Sequence, residues 1–567
     1  MASLKLLKTI TVAAIALTPM QAAQADVNAG AYLAGRAASF ESDYEAAALY
    51  YTRALVRDAS NPTLMENAIT AYLGLGDVEA ALPIARRLMQ SGGNNQIANL
   101  VLVANDTAKE DWAQIIENLD AGQSVGPLYD GLVRAWALVG MGRMTDALEQ
   151  FDVVAEGRGV QDFGLYHKAL ALASVGDFEG ANDIFGGAGG QPLGLTRRGV
   201  LSHVHVLSQL ERHDDALELL TSVFGTTVDP EFLALRAQLE ASETIPFDTI
   251  TTAVDGVAEV HYSIAGALSG EASDGYTLIY SRLASHLRPG HIDALLLSAG
   301  ILEQLEQFEL ATAVYDKVPR DDPSYHAAEL GRANTLERSG REDAAIEVLT
   351  QLSESHGHLP AVHIALGDAL RQLERFGEAI PPYARALDLL GEPAPNHWVI
   401  YFSRGIANER EDNWPAAEAD FKKALELQPD QPQVLNYLGY SYVEMEENLD
   451  EALSMIERAV AGQPNSGYIT DSLGWVLYRL GRYEEAVGHM ERAVELLPID
   501  PIINDHLGDV YWAVGRKREA EFQWLRALSF DPEEQEAERI RQKLEVGLDQ
   551  VLLDEGAEPL KVANDDG

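Results

Sequence analysis

The chain has 567 residues, of which 88 are acidic and 42 basic, and its formal net charge is −46. A field of this sign repels nucleic acid and anionic lipid headgroups and attracts basic partners. The absence of cysteine excludes disulfides, zinc–thiolate sites, cysteine nucleophiles and the lipidated cysteine of a bacterial lipoprotein. A hydrophobic content of 47% is enough for a large buried core, so the acidity is not that of a disordered tail.

The first 25 residues have the pattern of a cleaved signal peptide. A short uncharged apolar run follows Lys5 and Lys8, Pro19 ends it, and Ala23 and Ala25 are small residues where a signal peptidase reads. The run is too short to span a bilayer comfortably, and no later stretch of about 20 apolar residues follows. The sequence therefore predicts a periplasmic protein that is cleaved after Ala25, is not a lipoprotein and has no transmembrane segment in its mature part.

Two consecutive segments near the C-terminus superimpose at a spacing of 34 residues. The matched positions are a Leu-Gly pair, a glycine, two alanines and a proline: Leu473, Gly474, Gly481, Ala486, Ala493 and Pro498, then Leu507, Gly508, Gly515, Ala520, Ala527 and Pro532. The same order recurs twice upstream, at Leu438-Gly439 and around Gly405. A pattern that returns in register this often predicts a repeat architecture.

Each residue type has a physical role in a pair of short helices. Gly474 and Ala486 keep side chains small where the two helices approach closely. Gly481 follows the first helix, where the backbone needs an unrestricted conformation, and Pro498 ends the second helix. A single hairpin cannot bury its apolar face alone, so neighbouring hairpins must stack.

The repeat resembles the tetratricopeptide-repeat (TPR) motif, which has a Leu-Gly pair, an aromatic residue, a small residue, an Ala and a Pro at fixed offsets. Weaker copies extend towards the N-terminus, for example at Gly367, Gly340 and Gly142. The resemblance implies an all-α fold: a right-handed superhelical solenoid of about a dozen helix hairpins with a C-terminal capping helix.

The expected organisation follows from where the repeat is clear and where it fades. Thr, Pro and acidic residues with poor periodicity interrupt the array in its middle, and Ala537, Ile540, Leu544 and Leu548 share one face of a final helix. The predicted segments are a signal peptide (1–25), a degenerate TPR array (27–225), an irregular junction (226–257), a central TPR-like array (258–395), a well-matched TPR array (396–532), the capping helix (533–553) and an acidic tail (554–567).

Motifs for catalysis or metal binding are weak. Gly122-Gln123-Ser124-Val125-Gly126 matches the G-x-S-x-G pattern of hydrolases, but that motif needs a strand before it, and here a predicted helix precedes it. His356, His358 and His363 could approach a metal or be ordinary surface or core histidines. Asp505, His506 and Asp509 could form a polar or metal-binding site, but solvated groove residues are the favoured interpretation. The sequence predicts no enzyme, no cofactor and no metal.

In TPR families the first helix of each hairpin lines a concave surface on which partner peptides lie. Carried over to this chain, the predicted partner-binding residues are Tyr440, Tyr468, Asp471, Trp475, Tyr478, Asp505, Asp509 and Trp512. Aromatic residues among acids suit a protein ligand with apolar anchors and Arg or Lys. The alternative is that the aromatics pack between helices, although Trp475 and Tyr478 are not expected to be buried by the same face.

These observations predict a non-enzymatic periplasmic scaffold or adaptor for a cell-envelope assembly or export machine. Its expected partners are other proteins with basic and apolar segments, in envelope complexes, and not nucleic acid. An alternative is a protein that binds glycan or peptidoglycan strands on its aromatic groove.

Overall fold

A computed structural model of the chain describes residues 27–92, 94–187, 193–225, 229–557 and 560. The predicted signal peptide and most of the predicted acidic tail lie outside these residues. Within them the secondary structure is helical, without a strand, and it divides into two compact units, one up to Ala345 and one from Ile346. In the described ranges every helix is too short or too polar to span a bilayer.

The helices of the first unit are short and follow one another closely. They are α1 Val27–Phe40, α2 Tyr44–Arg57, α3 Pro62–Leu75, α4 Val78–Gln90, α5 Gln96–Ala108, α6 Trp112–Asp120, α7 Pro127–Gly140, α8 Met144–Ala155, α9 Gln161–Ser174, α10 Phe178–Phe185, α11 Arg197–Gln209, α12 His213–Phe224, α13 Pro230–Glu240, α14 Ala253–Leu268, α15 Asp274–Leu287, α16 Ile292–Gln304, α17 Phe308–Tyr315 and α18 Tyr325–Arg338. The next helix, α19 Glu342–Ser355, contains the point of division.

The second unit continues the same alternation of helix and short turn. Its helices are α20 Pro360–Gln372, α21 Phe376–Leu390, α22 Trp398–Arg410, α23 Trp414–Leu427, α24 Pro432–Glu444, α25 Leu449–Gly462, α26 Gly467–Arg479, α27 Tyr483–Leu496, α28 Pro501–Ala513, α29 Lys517–Leu528, α30 Glu534–Val546 and α31 Leu548–Asp554, with a 3-10 turn at Pro395–His397. Consecutive helices pack as hairpins, and each hairpin stacks on the next. This is the α-solenoid arrangement predicted from the repeat.

Within each C-terminal hairpin, a glycine of the first helix faces a large side chain of the second. A Cβ atom at Gly474 would lie 2.7 Å from Met490 Cγ, and one at Gly508 would lie 2.4 Å from Trp524 Cδ1. Ala486, on the second helix, is fully buried. The predicted close approach of paired helices at Gly474 and Ala486 is therefore confirmed.

The turn between the helices of a hairpin needs one residue in the left-handed region. Gly481 and Gly515 supply it with φ values of 76° and 81°. Several hairpins use an acidic residue there instead, such as Glu374 with φ 57° and Glu306 with φ 58°. A residue with a side chain has a higher free energy than glycine in this conformation. These turns are therefore less stable than the turns that use glycine.

In the first unit, two helices of the chain pack on the inner face formed by the first helices of earlier hairpins. α14 packs against α5, α7 and α9, and α15 packs against α3 and α5. Tyr166 Oη donates to Glu259 Oε1 at 2.9 Å, and Arg198 Nε donates to Glu259 Oε2 at 2.8 Å. Gly256 leaves room for the ring of Trp136, which a Cβ would meet at 2.2 Å. The first helices of these hairpins therefore face another part of the same chain.

Two stretches differ from the organisation expected at the sequence level. The segment predicted as an irregular junction contains α13 and the beginning of α14, and residues 241–252 between these two helices are not helical. The single capping helix expected over 533–553 is divided into α30 and α31 by Gly547, which has φ 83°. A Cβ at Gly547 would lie 2.7 Å from Trp512 Cζ2, so the break lets the chain turn closely over this indole.

Candidate partner-binding groove

A cavity of about 580 Å³ opens on the second unit, along the first helices of successive hairpins. We call it the C-terminal groove, and its lining residues are Glu409, Arg410, Asp412, Trp414, Asn436, Tyr437, Tyr440, Ser441, Glu444, Met445, Tyr468, Asp471, Ser472 and Ile502. Of the predicted partner-binding residues, Tyr440, Tyr468 and Asp471 are among them. The groove lies on α22, α24, α26 and α28, the helices that the repeat pattern placed on the inner face.

The rim of the groove carries exposed apolar and aromatic side chains. Tyr468 is 61% exposed, and Ile502, at the equivalent position of the next repeat, is also exposed. Both stand at the beginning of their helices, α26 and α28, on the rim of the cavity. They present two apolar contacts, one repeat apart, to a ligand that lies along the groove.

The charge of the groove lining is negative. The carboxylates of Glu409, Asp412 and Glu444, and that of Asp471, which pairs with His506, line it beside the guanidinium of Arg410. Burial raises the pKa of Tyr440, and the negative charges of Glu444 and Asp471 raise it further. The phenol therefore stays neutral, and the site attracts cations through both its acids and its ring faces.

Hydrogen bonds between successive first helices stiffen the wall of the groove. Tyr437 Oη donates to Glu409 Oε2 at 3.0 Å, joining α24 to α22. Trp475 Nε1 donates to Glu444 Oε1 at 3.0 Å, joining α26 to α24. Because each bond fixes a carboxylate of the lining, the acids are held in place before a ligand arrives.

Trp475 and Tyr478 do not reach the groove surface. Both side chains are buried, and their rings stack with centroids 4.8 Å apart. The expectation that both could not be buried together was wrong, because they stack on one another and Trp475 also stacks on His506. These two predicted partner-binding residues support the wall of the groove from behind.

Asp505 and Asp509 are engaged by the chain itself. Lys543 Nζ, on α30, lies 2.7 Å from Asp505 Oδ2 and 2.7 Å from Asp509 Oδ1. Asp509 is buried and also accepts a bond from Trp524 Nε1 at 2.9 Å. Their interpretation as solvated groove residues was wrong, since Lys543 of the capping helix binds both carboxylates and Arg539 lies 3.7 Å from Asp509.

Trp512 lies beside the capping helices and not in the C-terminal groove. Its Nε1 donates to Asp549 Oδ2 at 3.0 Å, and its ring centroid is 5.3 Å from that of Trp524. Lys517 Nζ lies 4.2 Å from the centroid of the same ring. Trp512 therefore holds α31 against the last hairpin, next to a separate cavity that it lines with Tyr483 and Lys517.

The partner-binding residues predicted from the repeat do not include the acids Glu409 and Glu444 or the rings Trp414 and Tyr437. Glu444 follows Tyr440 by four residues on α24, so the helical spacing itself put both on one face. Trp414 begins the second helix of its hairpin. It was not predicted because only first helices were expected to line the inner face.

Around the hydrolase-like motif, the structure has a loop between two helices. Residues 121–126 join α6 to α7, and Ser124 Oγ donates to Asp130. The motif therefore lacks the strand and the sharp turn that expose a nucleophilic serine. In the part of the chain that the structure describes, no group of three or more His, Asp or Glu side chains is arranged to hold a metal.

Stacked antiparallel helix pairs, with an inner face formed by the first helix of each pair, define an α-solenoid of helical repeats. Sequence profiles of the tetratricopeptide repeat match residues 32–95, 330–397, 364–432 and 402–467 with one profile and residues 471–500 with another. These segments carry tetratricopeptide repeats, and such repeats support a role as a protein–protein interaction scaffold.

Among curated proteins, the chain is similar to the TPR repeat-containing protein PA4667 of Pseudomonas aeruginosa. The two are 26% identical over 195 residues, which is 34% of this chain and 32% of that protein. The match therefore spans about a third of the length of this relative.

Solved structures show similar helical repeats at low overall similarity. The APC/C hetero-tetramer Cut9–Hcn1 has a TM-score of 0.37 and 14% identity, over 92% of this chain and 96% of that one. MamA from Desulfovibrio magneticus RS-1 has a TM-score of 0.27 and 22% identity, over 31% and 96%. YrrB, described as a TPR protein with an unusual peptide-binding site, has a TM-score of 0.28 and 20% identity, over 35% and 99%.

Proposed function

We propose that this protein is a non-enzymatic periplasmic scaffold that binds basic, apolar segments of other proteins in the C-terminal groove, within a cell-envelope assembly or export complex. The observation that carries the proposal is the lining of this groove, in which exposed apolar side chains stand among four carboxylates and one guanidinium. A protein segment with Lys or Arg beside an aromatic or aliphatic residue complements both features.

The contrast between the two units supports the choice of groove. In the first unit α14 and α15 cover the inner sides of α3, α5, α7 and α9. In the second unit the inner sides of α22, α24 and α26 border an open cavity of about 580 Å³. A partner that uses the inner face has room in the C-terminal groove, whereas α14 and α15 already pack on the inner sides of α3, α5, α7 and α9.

The periplasmic location rests on the first 25 residues and on the absence of cysteine. An exported protein without thiols has nothing to mispair in an oxidising compartment. Fractionation of cells, followed by N-terminal sequencing, tests this part. We expect the protein in the periplasmic fraction, beginning at Asp26; an intact leader on a cytoplasmic protein would refute it.

The groove is tested by crosslinking in living cells and identification of the captured proteins. The variant is Tyr468→Ala with Ile502→Ala, which removes the two exposed rim contacts. The matched control is Phe522→Ala with Leu525→Ala on α29, since Phe522 is 64% exposed and lies outside the groove lining. We expect the wild type and the control to capture the same defined set of proteins and the groove variant to lose it.

The charge part of the proposal is tested with a captured segment once it is known. Glu444→Gln should weaken its binding about tenfold, and added salt should weaken wild-type binding more than variant binding, because screening acts on the charges. If the captured set is identical for wild type and groove variant, the C-terminal groove is not the binding site. If binding is competed by free glycan instead of peptide, the scaffold function fails and the glycan alternative replaces it.

A further inference from the structure

The outward side of α1, the first helix that the structure describes, is apolar and uncovered. α1 packs on α2 through Gly35, where a Cβ would lie 3.0 Å from the ring of Tyr51. On the other side Leu33 is 60% exposed and Phe40 is 90% exposed. Ala37 is exposed too, and a Cβ at Gly30 would meet nothing within 4 Å. Among the described residues, nothing covers this face.

A solenoid usually ends in a repeat whose outer face is polar, because an exposed apolar face associates with other apolar surfaces. The C-terminal end of this chain follows that rule, since the sequence of α30, EQEAERIRQKLEV, carries charged residues over most of its surface. The sequence of α1, VNAGAYLAGRAASF, has a single charged residue, Arg36, and no acid. In a chain with a net charge of −46, an acid-free apolar helix face is a place where two copies can meet without repulsion between carboxylates.

The spacing of the exposed residues is self-complementary. Gly30, Leu33, Ala37 and Phe40 follow one another at intervals of three, four and three, the spacing of a helix-pairing seam. When two such helices run antiparallel, Phe40 of one lies over Gly30 of the other, and Leu33 lies over Ala37. Each large side chain then meets a small one, which close packing between helices requires.

We propose that α1 is an interface between two copies of this chain, which pair as antiparallel helices about a twofold axis that passes between Leu33 and Ala37. A twofold interface uses the same patch on both copies, and the small–large order of this patch permits that. The pairing does not involve the C-terminal groove, so it joins two partner-binding grooves in one assembly. It is independent of the groove proposal, and either can fail without the other.

An interface of one helix from each copy is small, so the dimer is weak and depends on concentration. The large negative charge of both copies opposes association at low salt. Added salt screens that repulsion but leaves the apolar contact intact. We therefore expect dimerisation to increase with ionic strength, the opposite of what an interface based on ion pairs does.

Sedimentation equilibrium of the full chain tests the proposal, at several protein concentrations and at low and high salt. We expect the wild-type mass to rise towards twice the chain mass, and Leu33→Glu with Phe40→Glu to stay monomeric. The control is Val56→Glu on α2, an 81% exposed apolar residue off the seam, which should dimerise like wild type. A wild type that is always monomeric, or a seam variant that still dimerises, overturns the proposal. Sedimentation of the wild type with phosphatidylcholine vesicles in place of self-association also overturns it.

The absence of cysteine allows a test of the antiparallel direction. Gly30 and Phe40 are ten residues apart, about 15 Å along a helix. A mixture of the Gly30→Cys chain and the Phe40→Cys chain should form disulfide-linked pairs on mild oxidation. Efficient crosslinking of the Gly30→Cys chain with itself would contradict antiparallel pairing, because those two thiols would stand too far apart.

Discussion

The imidazole of His506 stacks on the indole of Trp475 with ring centroids 4.0 Å apart and 13° between the planes. His506 Nδ1 also lies 3.0 Å from Asp471 Oδ2. These three residues join α26 to α28, and Asp471 also lines the C-terminal groove, so the charge of His506 affects the stability of the groove wall.

The pair of His506 and Asp471 predicts a pH dependence of stability. Burial lowers the pKa of His506, but Asp471 raises it through its charge and hydrogen bond, Asp505 and Asp509 add to this, and the net pKa lies above the usual 6.5. A group whose pKa is higher in the folded state stabilises fully below its unfolded pKa and loses that effect as the pH rises through the folded value. Thermal unfolding between about pH 6 and pH 9 should therefore show a larger fall in Tm for wild type than for His506→Gln. Equal falls would show that His506 is not charged in the folded protein.

Replacing Trp475 separates support of the wall from direct binding. Trp475→Ala should destabilise the protein by about 3–5 kcal/mol, as expected for loss of a buried aromatic side chain. Tyr468→Ala, at an exposed position on the same helix, should change stability by less than about 0.5 kcal/mol. Chemical denaturation monitored by circular dichroism compares the two. If the Trp475→Ala protein is as stable as the Tyr468→Ala protein, Trp475 is not a buried residue of the wall but lies on the groove surface.

The ammonium group of Lys543 holds α30 against α28 of the last hairpin. Lys543→Met removes the closer ion partner of Asp509, which keeps Arg539 at 3.7 Å, and the lysine partner of Asp505. Loss of one partner from a buried ion pair typically costs about 3–5 kcal/mol. Amide hydrogen exchange in α28 and α30 should then be faster than in the wild type, whereas exchange in α20–α23 should be unchanged. Addition of Asp505→Asn and Asp509→Asn to Lys543→Met should restore part of the protection. If the triple variant exchanges as fast as the single one, the electrostatic explanation fails.

The contact of Gly474 with Met490 predicts a steric effect. Gly474→Leu should destabilise its hairpin by about 1–3 kcal/mol or more, because the added side chain meets Met490 with no free space. Gly488→Ala, on the partner helix α27, is the control, since a Cβ there meets nothing within 4 Å. It should be neutral or raise the Tm slightly through better helix propensity. An unchanged Tm for Gly474→Leu would show that the register of the repeat is wrong.

The acidic residues with positive φ predict a route to higher stability. Glu374→Gly should stabilise its turn by about 0.5–1 kcal/mol, because glycine adopts φ 57° without strain. Gly481→Ala, at the equivalent turn with φ 76°, should have the opposite effect by about 1 kcal/mol. Thermal unfolding of both variants checks the pair. Changes of the same sign in the two would contradict this explanation.

Much of the local structure was readable from the sequence. The repeat of Leu-Gly, Ala and Pro predicted the hairpins, the close approach at Gly474 and the inner face that carries Tyr440, Tyr468 and Asp471. These features depend on residues within one hairpin or at the fixed offset of one repeat, and the helical period determines which face each residue occupies.

Contacts between elements were decided only by the tertiary structure. The pairing of Asp509 with Lys543 and the burial of Trp475 depend on which side chains meet across neighbouring first helices, and the period of the repeat does not specify that. The filling of the inner face of the first unit by α14 and α15 is a contact between segments far apart in sequence. The sequence by itself therefore determined that this protein is a stack of helix hairpins with an acidic, aromatic inner face. The packing of side chains and helices decided which parts of that face remain open to a partner, because openness depends on what covers a residue and not on the face it occupies.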